Sequence, residues 1–446
     1  MAKTFEFKKF LLQSVYRKEE MEPLKNRDCY LNQLLRFKDT SSIKIVTGIR
    51  RCGKSKLLDL MIRHLLSDGV HPNQIIKINF ESLKFSGMTY MDVYDYILDK
   101  SFKGGKTYIF LDEPHLVSGW EKVVNSLRED IDSDIYITGS NSHMLSSEYS
   151  TLLSGRYVEI KMLPLSFKEF LDFRDFKVKT VVNAIGVNEK RAYYKDGSVY
   201  DLNDLFDAYL KYGGMPGLSE LALSSDAVSK YLDGIYTTVI NNDILERKQR
   251  NKTKLADPFL LKKISTFLAD NIGKEYSYNK ITSSINENQK DALGNHKITD
   301  YTQGLVEAFI FYEAKRYDIK GKATLKTNGK FYIVDLGIKN YLLGYTSFNR
   351  GFAYENVVYF ELLRRGYDVS IGKIGALEVD FRAVKDDEIT YIQVTESLQN
   401  ETTRDREIRP FNVIDDNYDK IILSLDKGAS NINGIKTRNL IDWLLE

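Results

Sequence analysis

A short glycine-containing stretch, GIRRCGKS, occupies positions 48–55. It follows a β-rich run, SIKIVT at 42–47, and precedes KLLDLMIRHLL, whose apolar residues recur with helical periodicity. This is the spacing G-x-x-x-x-G-K-[ST] in the strand-to-helix context that binds phosphate. Gly48 and Gly53 allow the backbone angles that direct successive N–H groups at one anion, and the following helix adds its positive dipole end. The candidate nucleotide contacts are Gly48, Arg50, Arg51, Cys52, Gly53, Lys54, Ser55 and Lys56.

Two acidic residues, Asp112 and Glu113, end a second apolar run, YIFL at 108–111. Four apolar residues in a row predict a buried strand of a parallel sheet, whose carboxyl end opens into a ligand crevice. We expect Lys54 to neutralise the β- and γ-phosphates, Ser55 and Asp112 to hold Mg²⁺, and Glu113 to polarise the attacking water. The alternative is a strand end that only solvates two acids.

A third strand is predicted at 134–138 and is followed by Gly-Ser-Asn-Ser. Asn141 can sense the γ-phosphate or orient the water, or else Ser140 or Asn141 caps the helix predicted at 143–153. Further on, Arg156 is a candidate arginine finger that acts on the nucleotide of a neighbouring subunit. Its alternative is a surface arginine in a salt bridge.

The composition excludes several classes of protein. The chain has 446 residues, 43% of them hydrophobic, with 64 Lys+Arg against 62 Asp+Glu. This apolar content and near-zero net charge exclude a globally disordered chain and a histone-like polycation. The two cysteines, Cys29 and Cys52, are too few for a disulfide framework and favour a reducing compartment. With no signal peptide and no apolar run of about 18 residues, we expect a cytoplasmic protein with no membrane partner.

Five motifs then occur in order: GIRRCGKS, YIFLDEPH, ITGSNSHML, LLSGRYVEI and LPLSFKEFL. They resemble the AAA-type P-loop ATPase family whose members carry a C-terminal DUF4143-like domain. The resemblance implies ATP and Mg²⁺ as ligands, at Lys54, Ser55, Asp112 and Glu113, and supplies no substrate.

The strand–helix alternation from 43 to 160 predicts an α/β fold with the parallel-sheet core of a P-loop NTPase. We expect an N-terminal arm at 1–25, an AAA-type ATPase core at 26–170, a helical lid or linker at 171–255, a winged-helix-like domain at 256–346 and a nuclease-like domain at 347–446.

The segment 258–314 has the cadence of a winged helix: a helix, a short strand-like run, YSYNKI, at 276–281, and two further helices. Polar residues are available on its last helix, the candidate recognition helix. They are Lys297, Thr299, Asp300, Tyr301 and Gln303. A strand pair at 316–325 and 330–334 is predicted to form a basic wing that contacts DNA phosphates. Its basic residues are Lys315, Arg316, Lys320, Lys322, Lys326 and Lys330. The alternative partner is a protein, including a second copy of this chain in a homo-oligomer.

The last hundred residues predict a helix, three strands, a helix and a strand, an order that resembles the restriction-endonuclease-like core. In that fold an acid on the first helix, an Asp on the second strand and Glu-x-Lys on the third bind a metal. Glu355 and Asp380 match, but Gln393-Val394-Thr395 stands in place of Glu-x-Lys. The domain is therefore interpreted as degenerate, used for binding or dimerisation.

The sequence as a whole predicts a slow Mg²⁺-dependent ATPase whose nucleotide state controls its C-terminal domains. The alternatives are an ATP-gated nuclease acting on DNA and a nucleotide-switched DNA-binding regulator.

Overall fold

The structure is a computed structural model that describes most of the chain. The described residues are 24–85, 87–142, 153, 155–182, 186, 188–246, 257–287, 292–325, 328–345 and 350–446. Most of the predicted N-terminal arm and of the predicted helix at 143–153 lies outside them, as does Lys326. The chain divides into two compact units, Met1–Met162 and Leu163–Glu446.

The N-terminal unit is built on a five-stranded sheet in which every neighbouring pair is parallel. Its strands are β1 (Ile43–Thr47), β2 (Ile75–Asn79), β3 (Thr107–Asp112), β4 (Ser133–Gly139) and β5 (Tyr157–Lys161). The spatial order is β2-β3-β4-β1-β5, so β4 lies between β3 and β1. This arrangement confirms the predicted parallel-sheet core of a P-loop NTPase.

Helices connect and cover these strands. They are α1 (Asp28–Arg36), α2 (Lys54–Ser67), α3 (Tyr90–Lys100) and α4 (Trp120–Asp130). Helix α4 buries Val123, Val124 and Leu127, which recur at the spacing of one helix face, in the core formed with Ile109 and Ile137 of the sheet. Burial of each such aliphatic side chain contributes about 2 kcal/mol to folding. The packed core therefore fixes the position of the sheet edge at which the carboxyl ends of the strands lie.

The second unit begins with a helix and a small antiparallel sheet. Its elements are α5 (Phe167–Phe173), β6 (Lys177–Val182), β7 (Asn188–Tyr193), β8 (Val199–Tyr200), α6 (Leu202–Tyr212) and α7 (Ser225–Thr238). Strands β6, β7 and β8 pair in that order. The region 171–255, predicted as a helical lid or linker, therefore contains an antiparallel sheet as well as helices. The sequence did not reveal these strands, because they are polar and their apolar alternation is weak.

Three helices and four short strands follow. The helices are α8 (Pro258–Asp270), α9 (Tyr278–Asn286) and α10 (Asn295–Glu307), and the first strand is β9 (Phe311–Ala314). After β9 come β10 (Arg316–Asp318), β11 (Ala323–Thr324), β12 (Lys330–Ile333) and α11 (Leu336–Leu343). Strand β12 pairs with β9, and an isolated bridge joins Lys330 to Glu275.

The strand pairing predicted for the basic wing is wrong. Strand β10 pairs with β11, but β12 pairs with β9 instead of with them. The local composition predicts where each strand lies. Which strands pair depends on packing against distant segments, and a single sequence does not reveal that packing.

A buried carboxylate ties the turn after α6 to the start of α11. Asp335 accepts a hydrogen bond from the Gly214 N–H at 2.6 Å and caps α11 through the Ile338 N–H. A side chain at Gly213, whose φ is +82°, would place its Cβ 2.2 Å from the Asp335 carboxylate. Burial raises the pKa of Asp335 to about 6. Gly213 is therefore required by its close approach to Asp335.

The C-terminal hundred residues form a helix against a mixed sheet. The elements are α12 (Arg350–Arg364), β13 (Asp368–Ile374), β14 (Leu377–Lys385), β15 (Glu388–Val394), α13 (Glu401–Ile408), β16 (Asp419–Ser424), β17 (Ser430–Ile432), β18 (Ile435–Asn439) and α14 (Leu440–Leu444). The sheet order is β11-β10-β13-β14-β15-β16-β18-β17. Strands β13 to β15 are antiparallel neighbours, while β15, β16 and β18 run parallel. Among the described helices, none combines the length and apolar content needed to cross a bilayer.

Candidate functional site

The loop between β1 and α2 has the backbone of a phosphate cradle. Gly53 immediately precedes α2 with φ +108°, and Arg51 is also left-handed at +63°. Gly48 has φ +148°, and a Cβ there would lie 2.1 Å from the Met162 carbonyl oxygen. Only glycine fits at position 48, as the motif predicts. The loop leads into a helix N-terminus, where free N–H groups and the helix dipole favour an anion.

The ammonium of Lys54 is held within this loop. Its Nζ donates to the carbonyl oxygens of Gly48 at 2.9 Å and of Ile49 at 3.2 Å. It also lies 3.6 Å from Glu113 Oε1. Lys54 is buried, whereas Ser55 and Lys56, in the same helical turn, are exposed. A phosphate can replace the neutral carbonyls as the acceptor, because a charge-assisted hydrogen bond is stronger than a neutral one.

The predicted acid pair lies at the carboxyl end of β3, where both residues are buried. A single hydroxyl on β4 contacts both: Thr138 Oγ1 donates to Asp112 Oδ1 and accepts from the Glu113 N–H at 3.0 Å. Glu113 itself has a left-handed backbone, with φ +56° and ψ 47°. Thr138 therefore fixes both acids in position, a role that the sequence did not reveal. The register that places Thr138 beside Asp112 depends on the pairing of β3 with β4.

Glu113 is surrounded by groups that favour its charged form. Its Oε2 accepts from the Ser140 N–H at 3.0 Å and lies 3.3 Å from His115 Nδ1. Burial raises the pKa of Glu113, but Lys54, His115 and the Ser140 N–H outweigh it, and the pKa is lowered overall. Glu113 is therefore a carboxylate at neutral pH, the state that a base requires.

The remaining loop residues have local partners. Arg50 Nη2 lies 2.7 Å from Glu81 Oε1, and Arg27 Nη1 donates to the Cys52 carbonyl oxygen at 3.2 Å. Cys52 is fully buried, and burial raises the pKa of its thiol. Arg51 is exposed. Cys52 therefore packs the base of the loop as a neutral side chain.

Asn141 and Arg156 lie at opposite ends of the sheet. Asn141 is buried just after β4, the strand between β1 and β3, and so emerges between the loop and the acid pair. The Arg156 carbonyl accepts from Ile43 N at 2.9 Å, at the amino end of β1. Its side chain is 44% exposed and donates to Asn125 Oδ1 at 3.3 Å. Within one N-terminal unit, Arg156 is therefore remote from the loop.

The second unit contains a cavity of about 920 Å³ lined mainly by polar side chains, with a few apolar ones such as Phe352 and Leu377. Glu355 of α12 and Asp380 of β14 both line it, which brings together the two acids that the sequence singled out. Other lining residues are Lys330, Glu378, Gln393, Thr395 and Glu407.

Lys330 is a buried ion-pair partner rather than a wing residue. The prediction that it contacts phosphates from an exposed wing is wrong, because it is 4% exposed. Its Nζ lies 2.8 Å from Glu378 Oε1 and 3.6 Å from Glu355 Oε2. Burial lowers the pKa of Lys330, but Glu355, Asp380 and Glu378 outweigh it and raise the pKa overall. Lys330 therefore remains a cation.

The amide that replaces the third acid makes hydrogen bonds through both its oxygen and its nitrogen. Gln393 Oε1 accepts from the Asp380 N–H at 3.2 Å, and its Nε2 donates to Glu407 Oε2 at 2.7 Å. Asp380 Oδ2 accepts from the Val394 N–H at 2.8 Å. Burial raises the pKa of Glu355 and, well above its usual range, that of Asp380. Glu407, from α13, is a cavity acid that the sequence did not reveal, since no motif contains it.

Comparison with known proteins places these sites in a family. A family model described as an AAA domain matches residues 40–171, and a model for a domain of unknown function, DUF8612, matches residues 203–349. An uncharacterized protein of Haemophilus influenzae is 38% identical over 424 residues, covering 94% of this chain and 98% of that protein. An uncharacterized protein of Methanocaldococcus jannaschii is 30% identical over 417 residues, covering 90% and 86%.

Solved structures show more distant likeness. A Walker-type ATPase of Pyrococcus abyssi has 14% identity and a TM-score of 0.45, covering 73% of this chain and 97% of that one. The Orc1 protein of Aeropyrum pernix in complex with DNA has 14% identity and a TM-score of 0.30, covering 74% and 95%.

The AAA match confirms the predicted ATPase domain. Beyond it the matching model is DUF8612, so the DUF4143-like domain stays a prediction. From the identity and coverage of the two uncharacterized relatives, the chain belongs to the same protein family as they do, and its N-terminal unit carries an AAA-type ATPase domain.

Proposed function

We propose that the protein is a slow Mg²⁺-dependent ATPase whose nucleotide state controls its C-terminal segments. One observation carries the proposal. The buried Lys54 ammonium of the loop lies 3.6 Å from the Glu113 carboxylate of the acid pair, so a phosphate-binding cation and a base face each other across the carboxyl edge of one sheet.

The loop would bind the triphosphate of ATP. Its backbone N–H groups from Gly48 to Ser55 surround the phosphates, and Lys54 moves its hydrogen bonds from loop carbonyls to phosphate oxygens. Arg50, Arg51 and Lys56 add positive charge around the loop. Ser55 and Asp112 offer the hard oxygen ligands that Mg²⁺ requires, and the ion would neutralise charge on the β- and γ-phosphates.

Glu113 would act as the base. Its lowered pKa keeps it ionised, and Thr138 and Ser140 hold its backbone and carboxylate in position. Once phosphate takes over the charge of Lys54, the Glu113 carboxylate is left to accept a proton from water. Asn141, buried at the neighbouring strand end, is placed to orient that water or to contact the γ-phosphate.

Arg156 would serve the nucleotide of a neighbouring subunit. The exposed guanidinium at the amino edge of the sheet can reach a second copy of the chain, and an arginine finger supplied in trans stabilises charge that develops in the transition state. This role requires a homo-oligomer.

Substitution of the lysine and of the base separates binding from turnover. Lys54→Ala should abolish ATP binding, because the loop loses its buried cation. Glu113→Gln should bind ATP but hydrolyse it about 10²–10⁴-fold more slowly, since the amide cannot accept the proton. Nucleotide binding by calorimetry and phosphate release measure the two effects, with Asp95→Asn, an exposed acid of α3, as control. If Glu113→Gln hydrolysed ATP at the wild-type rate, Glu113 would be excluded as the base.

Removal of the bridging hydroxyl tests the positioning of the acids. Thr138→Val keeps the shape of the side chain but loses both contacts, and we expect ATP turnover to fall about tenfold with ATP affinity little changed. Thr107→Val, a buried threonine at the other end of β3, is the matched control for stability. Equal turnover in the two variants would show that Thr138 has no catalytic consequence.

Mixing two inactive variants tests the arginine finger. Arg156→Ala keeps its base but lacks the finger, whereas Glu113→Gln keeps the finger but lacks the base. A mixed oligomer contains some interfaces at which the base of one subunit meets the finger of the other, and such sites can act because the finger works in trans. With random pairing these are a quarter of all sites, so steady-state phosphate release should recover to roughly a quarter of the wild-type rate. No recovery in a confirmed mixed oligomer would contradict the role of Arg156.

A second candidate function is an ATP-gated nuclease acting on DNA. It is favoured by the cavity of the second unit, in which Glu355, Asp380 and a buried lysine converge as in a metal-dependent phosphodiesterase. The winged-helix interpretation of α8 to α10 would supply DNA contacts through the exposed Lys297 and Gln303 of α10. DNA binding without cleavage would instead indicate a nucleotide-switched regulator.

Cleavage of plasmid DNA tests this candidate. With Mn²⁺ and ATP the wild-type protein should nick supercoiled DNA, and Asp380→Asn should abolish nicking, because the cavity loses one of its buried carboxyl groups. Gel electrophoresis measures the product, and Asp387→Asn, an acid of the β14–β15 turn, is the control. Nicking that survives Asp380→Asn would remove the candidate.

A further inference from the structure

The carbonyl group of Cys52 faces a buried arginine at the base of the phosphate loop. Arg27 Nη1 donates to the Cys52 carbonyl oxygen at 3.2 Å. Arg27 is 4% exposed, and its Cζ lies 4.9 Å from the centre of the Tyr30 ring. Tyr30 belongs to α1 and is itself buried. The arginine is therefore held by packing on α1, so a residue outside the loop accounts for the direction of the Cys52 carbonyl.

The direction of this carbonyl determines the direction of the next N–H. A peptide unit is planar, and in the trans form its C=O and N–H point in opposite directions. None of the described peptide bonds is cis, so the Gly53 N–H points away from the buried Arg27. Gly53 immediately precedes α2, and within the described residues its N–H donates to no protein acceptor. This N–H is therefore available to the phosphates that the loop would bind.

The glycine at position 53 makes such a constraint necessary. Gly53 has φ +108°, a conformation that a residue with a side chain rarely adopts. The freedom that permits this conformation also permits others, in which the 52–53 peptide turns its N–H elsewhere. A buried carbonyl is costly to leave without a donor, and a charged donor binds it more strongly than a neutral one. The contact with Arg27 therefore favours one orientation of the 52–53 peptide.

We propose that Arg27 is a positioning residue of the nucleotide site, which holds the Cys52 carbonyl at the base of the loop and thereby directs the Gly53 N–H at the phosphates. Arg27 contacts no phosphate in this role and acts through the peptide that it holds. The proposal rests on the nucleotide binding of the proposed function, and on neither its metal ion nor its base.

Affinity and turnover distinguish this role from a catalytic one. Arg27→Met should bind ATP and ADP about tenfold more weakly and by the same factor, because both carry the β-phosphate that the loop N–H groups hold. Hydrolysis at saturating ATP should stay within about twofold of the wild-type rate, since the contact is the same before and during the reaction. Calorimetry measures the affinity, and phosphate release measures the turnover.

Two further variants serve as controls for these measurements. Arg36→Met removes an exposed arginine at the end of α1 and should bind ATP as the wild type does. Arg27→Lys keeps a charged donor and should lose less affinity than Arg27→Met. Wild-type ATP affinity in Arg27→Met, or an equal loss in Arg36→Met, would overturn the proposal.

The sequence allows the 52–53 peptide to be observed by itself. Cys29 precedes Tyr30 and Cys52 precedes Gly53, so cysteine is followed by glycine at one position of the chain. Protein with an isotope-labelled cysteine carbonyl carbon and glycine nitrogen therefore gives a single cross-peak in an NMR experiment that correlates each carbonyl with the next N–H. ADP should shift the Gly53 signal of the wild type, because the N–H acquires a charged acceptor. This measurement needs no variant, and a Gly53 signal that saturating ADP leaves unchanged would contradict the proposal.

The same cross-peak tests the arginine directly. In Arg27→Met the Cys52 carbonyl resonance should move, and the shift that saturating ADP causes at Gly53 should become smaller, because the peptide no longer keeps one orientation. Arg36→Met should give the wild-type signals. A shift at Gly53 that is equal in Arg27→Met and the wild type would show that Arg27 does not direct this N–H.

Failure of this proposal differs from failure of the proposed function. If ATP binds but is not hydrolysed, the ATPase fails and Arg27 keeps its role in binding. If Arg27→Met binds ATP and ADP as the wild type does, nucleotide binding stands and Arg27 loses its role. Absence of nucleotide binding by the wild type would overturn both.

Discussion

The chemistry of the N-terminal unit depends on the opposition of Lys54 and Glu113 across one sheet edge. Both side chains are buried, and a buried charge is tolerated only when another charge or several hydrogen bonds compensate it. The loop carbonyls and Glu113 compensate Lys54, and Lys54, His115 and the Ser140 N–H compensate Glu113. A triphosphate that takes over the charge of Lys54 leaves Glu113 with less compensation and so makes it a stronger base. In the proposed mechanism, phosphate binding and activation of water are thus two consequences of one ion pair.

The second unit contains another buried lysine, with a different set of partners. Lys54 donates to neutral carbonyls, which a phosphate can displace, whereas Lys330 is held by carboxylates. Displacing Lys330 requires either another cation or movement of the strand that carries it. The first arrangement suits a site that exchanges its ligand in every cycle, whereas the second holds its lysine in place as part of the fold.

Sequence motifs predicted the candidate site residues that lie together in one short segment of the chain. The spacing from Gly48 to Ser55 and the acids at 112–113 could be predicted, because a phosphate loop and a strand-end acid pair are each contained in one short segment. Thr138 and Lys330 could not. The role of Thr138 follows from the register of β4 against β3, and that of Lys330 from the pairing of β12 with β9. Basic composition alone favoured an exposed wing for Lys330, which packing contradicts.

The same limit applies to the interpretation of the C-terminal segment as degenerate. That interpretation compares one strand, Gln393 to Thr395, with a Glu-x-Lys pattern and finds neither the acid nor the lysine. In the folded chain a lysine from β12 and an acid from α13 reach the same cavity, and Gln393 donates a hydrogen bond to that acid, Glu407. The charges absent from the strand are therefore present in the cavity, supplied by other elements. Loss of a motif from a strand does not establish loss of the corresponding groups from the site, because a cavity is assembled from several segments and its charge is set by all of them.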